Sequence, residues 1–145
     1  MFEILLSMST DRTGLFISLI GLFFFALLWF FLISLYIYTN IYIKEICRIV
    51  YKDEKKFKRL IEPFDFYYLS MLPSAYWREI LNIKLNTSFK AYYGKNIYQK
   101  IGESQLNELL KNYPVFFYIH YLIILSGILG ICLLFLGVGL EKYIF

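Results

Sequence analysis

Two stretches without a single Asp, Glu, Lys or Arg, Leu15–Ile43 and Tyr113–Leu140, constrain this chain more than any other feature. An ionised side chain in hydrocarbon costs on the order of 2.5–3.5 kcal/mol even on the milder insertion scales, so a bilayer sorts charge into blocks along a sequence. A helix needs about 20 residues to cross a hydrocarbon core of about 30 Å, and both runs exceed that. With 59% hydrophobic residues, 18% charged residues and a mean hydropathy of +0.57, the chain is also too apolar for an ordinary soluble domain. The expected fold is an all-α membrane protein, a two-span antiparallel helical hairpin with a small helical cytoplasmic segment between the spans.

The expected boundaries follow from the charges. Residues 1–13 form a short extracytoplasmic N-terminus, 14–43 the first transmembrane helix and 44–113 a basic, aromatic-rich segment. Residues 114–140 form the second transmembrane helix and 141–145 an extracytoplasmic C-terminus. The stretch MFEILLSMSTDR has no basic leader and the run after it is too long for a cleaved signal, so the first span is expected to stay attached. Tyr36, Tyr38 and Tyr42 cluster where a span would meet the membrane–water interface. Beyond them Ile46, Ile49, Val50, Phe57, Leu60 and Ile61 recur at helical spacing. The spacing predicts one long helix that ends near Glu62-Pro63, where proline disfavours continuation. The second run opens at Pro114, a favourable first-turn residue because its missing N–H has no intrahelical partner there.

Orientation comes from the basic residues. Thirteen of the fifteen Lys and Arg lie between Lys44 and Asn112, against eight acidic residues, a net +5. The positive-inside rule places such a segment in the cytoplasm and both termini outside, in a multi-pass protein of the inner (plasma) membrane. The richness in Ile, Phe, Tyr, Lys and Asn fits a bacterial chain from an AT-rich genome.

Within the segment, Ala75–Leu85 carries Tyr76, Trp77, Ile80, Leu81 and Leu85 along one side of an expected helix. Asn86-Thr87-Ser88 breaks the pattern, and Phe89, Tyr93, Ile97 and Ile101 recur every four residues up to Gly102. Ser104 is placed to cap a last helix containing Leu106, Leu109 and Leu110. The charge run KDEKKFKR reads as one solvated or lipid-facing helix face, with Glu54 and Lys58 as an i,i+4 pair.

Three groups of residues stand out for function. Gly14, Ser18 and Gly21 in the first span, and Ser126, Gly130 and Gly137 in the second, form small-residue faces that let helix backbones approach in lipid. They serve either the two helices of one hairpin or an oligomer. Lys52, Lys55, Lys56, Lys58 and Arg59, with Tyr76 and Trp77, are expected to meet lipid headgroups or a protein partner, because basic side chains near an anionic leaflet gain about 1 kcal/mol each. His120 is the only histidine and lies about two turns into the second span, a possible titrating site whose blander role is interfacial hydrogen bonding.

No catalytic constellation is expected. The carboxylates are scattered among basic neighbours, and no phosphate-binding Gly-rich loop or activated Ser or Cys motif occurs. Cys47 and Cys132 lie in different environments with no metal-ligand spacing, so neither a disulfide, a metal nor a cofactor is expected. Charge alone would allow nucleic acid, but membrane apposition accounts for the same residues. The expected function is a non-enzymatic scaffold, regulator or complex subunit that engages membrane lipids or a partner, in a homo-oligomer or larger membrane complex. The alternative is a homo-oligomeric pore-forming or membrane-permeabilising effector gated from the cytoplasm.

Overall fold

The computed structural model describes residues 13–85 and 101–143. Among these the chain is helical with no strand, in the order α1 Thr13–Ile41, α2 Ile43–Tyr51, α3 Pro63–Ser70, α4 Leu72–Ala75, α5 Trp77–Lys84, α6 Glu103–Asn112 and α7 Pro114–Tyr143. The expected break at 86–88 and the helix carrying Phe89, Tyr93 and Ile97 lie outside the described residues, as does most of the N-terminus.

The chain divides into two compact units, Met1–Leu32 with Tyr121–Phe145, and Ile33–His120. The long helices α1 and α7 contribute to both. Each has 29 residues in its apolar run, about 43 Å at 1.5 Å per residue, more than a hydrocarbon core requires. Two helices among the described residues are therefore long and apolar enough to cross a membrane. Only 6% of the α1 window and 17% of the α7 window is buried, unlike the core helix of a soluble protein. Trp29, Phe30 and Phe135 are 60%, 63% and 77% exposed.

In the first unit the buried positions are small: Gly14, Gly21, Ser126, Gly127, Gly130 and Gly137. The second unit is built the other way. Its core holds Leu35, Ile46, Cys47, Leu69, Ile80, Leu106, Leu109, Phe116 and Phe117, all nearly inaccessible. Helix α6 lies against both α2 and α5, and Leu106 and Leu109 are its buried positions. Leu110, expected beside them, is only half-buried.

The helix expected to run to Glu62-Pro63 stops eleven residues earlier. The backbone bends at Tyr42, but Tyr42 N–H still donates to Tyr38 O at 3.2 Å and Ile46 N–H to Tyr42 O at 3.0 Å, so α2 carries on directly from α1. It ends at Tyr51 because Lys52 adopts a left-handed conformation (φ 58°). The Asp53 carboxylate then accepts the Lys55 N–H at 2.9 Å, a local turn that competes with helix. KDEKKFKR is accordingly a turn-rich loop and not a helix face. Glu54 meets Arg48 at 3.6 Å in place of the expected Lys58. Pro63 opens α3 at its first turn, the same role that was expected of Pro114.

Three further sequence expectations change. Leu60 is 76% exposed while its neighbour Ile61 is 2% exposed. In α5 the buried side is Tyr76, Glu79 and Ile80, whereas Trp77, Leu81 and Leu85 are exposed. The cap of α6 is Gly102 and not Ser104: the Gln105 side-chain oxygen accepts the Gly102 N–H at 3.0 Å.

Candidate functional site

The loop after α2 is held from both sides by specific hydrogen bonds. Asn40 Nδ2 donates to Tyr36 O at 2.9 Å, which fixes the amide so that its Oδ1 accepts the Ile61 N–H at 2.9 Å. Tyr36 Oη–H donates to Ile61 O at 3.2 Å. Both polar groups of the buried Ile61 peptide are thus satisfied by one turn of α1, as burial away from water requires. The Tyr36 ring also packs edge-on against Phe66 of α3, centroids 5.1 Å apart. At the C-terminal end of α2, Gln105 Nε2 donates to Ile49 O at 2.6 Å. That bond takes up one of the carbonyls a helix C-terminus leaves open. Gln105 therefore ties the end of α2 to the beginning of α6.

Loop Lys52–Glu62 presents Lys52, Lys55, Lys56, Lys58 and Arg59, all exposed. Lys56 Nζ lies 5.8 Å from the Tyr51 ring centroid. Next to them sit exposed apolar side chains: Leu60 at 76%, Phe64 at 79%, Tyr67 at 55%, Tyr68 at 42% and Met71 at 43%. Trp77 is 58% exposed, but Tyr76 is a core residue whose hydroxyl accepts the Ile101 N–H at 3.2 Å. Its ring is not presented to a lipid or a partner. Burial pushes the Cys47 thiol up to about 11, with nearby Asp53 adding to the rise and a hydrogen bond from the Phe57 backbone opposing it. A thiol held protonated in this way is a packing group and a poor nucleophile. Tyr51 is raised to about 12, chiefly by burial and further by Cys47 and Asp65.

His120 is 5% exposed, and its Nε2 lies 2.5 Å from the Ser74 hydroxyl on α4. The pairing was not expected from the sequence, since 46 residues separate the two. Glu79, one of the carboxylates expected to be scattered among basic neighbours, is 2% exposed, and its Oε2 has no hydrogen-bond partner among the described residues.

The small residues of α1 and α7 meet one another. A Cβ placed on Gly14 would lie 2.6 Å from Gly137 O and 2.9 Å from Glu141 Cγ. One on Gly137 would collide with Ser18 Oγ and lie 2.6 Å from Gly14 O. One on Gly21 would stand 3.0 Å from the Leu134 nitrogen, and one on Gly130 would stand 3.3 Å from Gly21 O. Ser18 Oγ donates to Gly14 O at 3.0 Å within its own helix, so this hydroxyl adds no polar patch to the face. Ser126 is also buried.

No family model matches this chain, and neither a curated protein nor a solved structure is similar to it.

Proposed function

We propose that the chain is a two-span protein of the bacterial inner (plasma) membrane, its spans paired as an antiparallel hairpin, with both termini extracytoplasmic. On this reading residues 44–113 form a cytoplasmic module that makes the protein a non-enzymatic scaffold, regulator or complex subunit. The module works at the membrane surface, on anionic lipid or on a partner protein lying against it. One observation carries the reading: five basic side chains and the exposed Leu60, Phe64, Tyr67 and Tyr68 share one stretch of chain, beside a core that is already closed. Apolar surface left open next to a basic loop is an interaction surface, and anionic headgroups over hydrocarbon complement both of its halves.

The hairpin pairing is supported by the order of the glycine contacts, Gly14 with Gly137 and Gly21 with Gly130. Those contacts also weigh against the alternative, a homo-oligomeric pore or membrane-permeabilising effector. A ring of hairpins would need the same small residues between chains.

Hydrogen exchange of the full chain in lipid nanodiscs tests the proposal. Residues 52–71 are expected to exchange more slowly with anionic lipid present than in purely zwitterionic lipid. Equal exchange in the two would contradict it.

A further inference from the structure

Where α1 leaves its apolar run, a groove of 430 Å³ opens between it and the loop, lined by Tyr36, Ile37, Asn40, Ile41, Arg59 and Leu60. Its size falls within the range of about 300–1,000 Å³ typical of small-molecule sites. The wall has almost nothing polar to offer. Asn40 spends its amide on Tyr36 and Ile61, and the Tyr36 hydroxyl is turned to Ile61 O. The groove continues the stripe Ile33, Ile37 and Ile41, which recurs every four residues on α1 and is 58%, 54% and 56% exposed. If α1 spans a membrane, that stripe is covered by acyl chains.

Arg59 is the one charged residue lining the groove and is exposed. The one ion pair among the described residues is Arg48–Glu54, so the Arg59 guanidinium is not engaged with any described carboxylate. Lys56 and Lys58 flank it in an adjoining notch, where Glu62 and Asp65 offset part of their charge.

Leu60 is the most telling wall residue. It holds φ 66°, a left-handed conformation that costs a branched side chain energy glycine would not lose. It is also 76% exposed and gives nothing to the core. Strain kept at an exposed apolar residue points to a role outside the core.

We infer that this groove is a binding site for one anionic phospholipid of the cytoplasmic leaflet, with an acyl chain lying between Ile37, Ile41 and Leu60 and the phosphate on Arg59. The inference rests on the proposed orientation and gives the proposed lipid contact a defined site. Arg suits the phosphate because its planar guanidinium donates two parallel hydrogen bonds to neighbouring oxygens.

Native mass spectrometry of the full chain, released from nanodiscs of mixed phosphatidylglycerol, phosphatidylethanolamine and phosphatidylcholine, reads the site directly. One retained lipid per chain is expected, enriched in phosphatidylglycerol. Arg59→Gln should reduce its occupancy about fivefold, the worth of one basic residue at an anionic surface. Leu60→Gly should reduce it at least as much, in a protein that melts no lower than wild type because the left-handed strain is relieved. Retention unchanged in both variants, no retained lipid, or enrichment in a zwitterionic lipid would each overturn the site. If retention is unchanged in the two variants while their residues 52–71 still gain protection in anionic nanodiscs, the site fails and the general surface reading stands. If wild type gains none, the general reading itself fails.

Discussion

The two compact units solve packing in opposite ways. In the first, large side chains such as Trp29, Phe30 and Phe135 point outward and glycines are buried. In the second, Leu106, Leu109, Phe116 and Phe117 are buried and lysines are outside. Lipid tails are as apolar as leucine, so burying large side chains gains little there and close backbone approach through small residues takes over. In water the gain comes from removing apolar area, about 25 cal/mol per Å². One helix takes part in both kinds of packing: α1 buries Gly14 and Gly21 early and Leu35 later.

The sharpest way to break this comparison is to make opposite changes in the two units. Leu109→Ala removes a fully buried side chain from the second unit and is expected to cost about 2–5 kcal/mol, read as a lower melting temperature in detergent. Gly137→Leu adds volume where a single Cβ already collides with Ser18, and should cost about 1–3 kcal/mol or more. Gly139→Leu, two residues on, meets nothing within 4 Å of its Cβ and should leave melting unchanged. Equal effects at Gly137 and Gly139 would contradict the small-residue packing. Gln105→Leu should cost about 1–3 kcal/mol, because it leaves the Ile49 carbonyl without the side-chain amide that now caps it. Faster hydrogen exchange around the end of α2 would report it.

A smaller, pH-dependent effect comes from Cys47. Its folded thiol is raised to about 11 from an ordinary 9, so the unfolded state loses its proton first. The contribution of the buried thiol is therefore complete below about pH 9 and disappears as pH rises towards about 11. Alkylation of Cys47 in the folded protein should stay slow across neutral pH and quicken only as pH approaches that value. Rapid modification at pH 7.5 would show that the α2 core opens.

Sequence alone made the spans legible because a solvent that tolerates no charge writes itself as long uncharged runs. The core positions Ile46, Ile49, Val50, Leu106 and Leu109 were legible for a related reason: one buried face repeats every three or four residues. The end of α2 was not, because it depends on a left-handed Lys52, an Asp53 turn and a glutamine 55 or more residues away. Periodicity carried on through Phe57, Leu60 and Ile61, yet only Ile61 is pinned by Tyr36 and Asn40. Leu60 is turned out. The Ser74–His120 contact and the buried Glu79 were illegible because each is set by tertiary packing. The basic loop was visible as charge, but its groove exists only where α1 and the loop meet.

Impermeant thiol labelling in intact bacterial cells tests the proposed topology most directly, with Cys47→Ala and Cys132→Ala removing the native thiols. Lys142→Cys should label from outside the cell, and Lys58→Cys only after the membrane is permeabilised. Labelling of Lys58→Cys in intact cells, or recovery of the protein in the soluble fraction, would contradict the account.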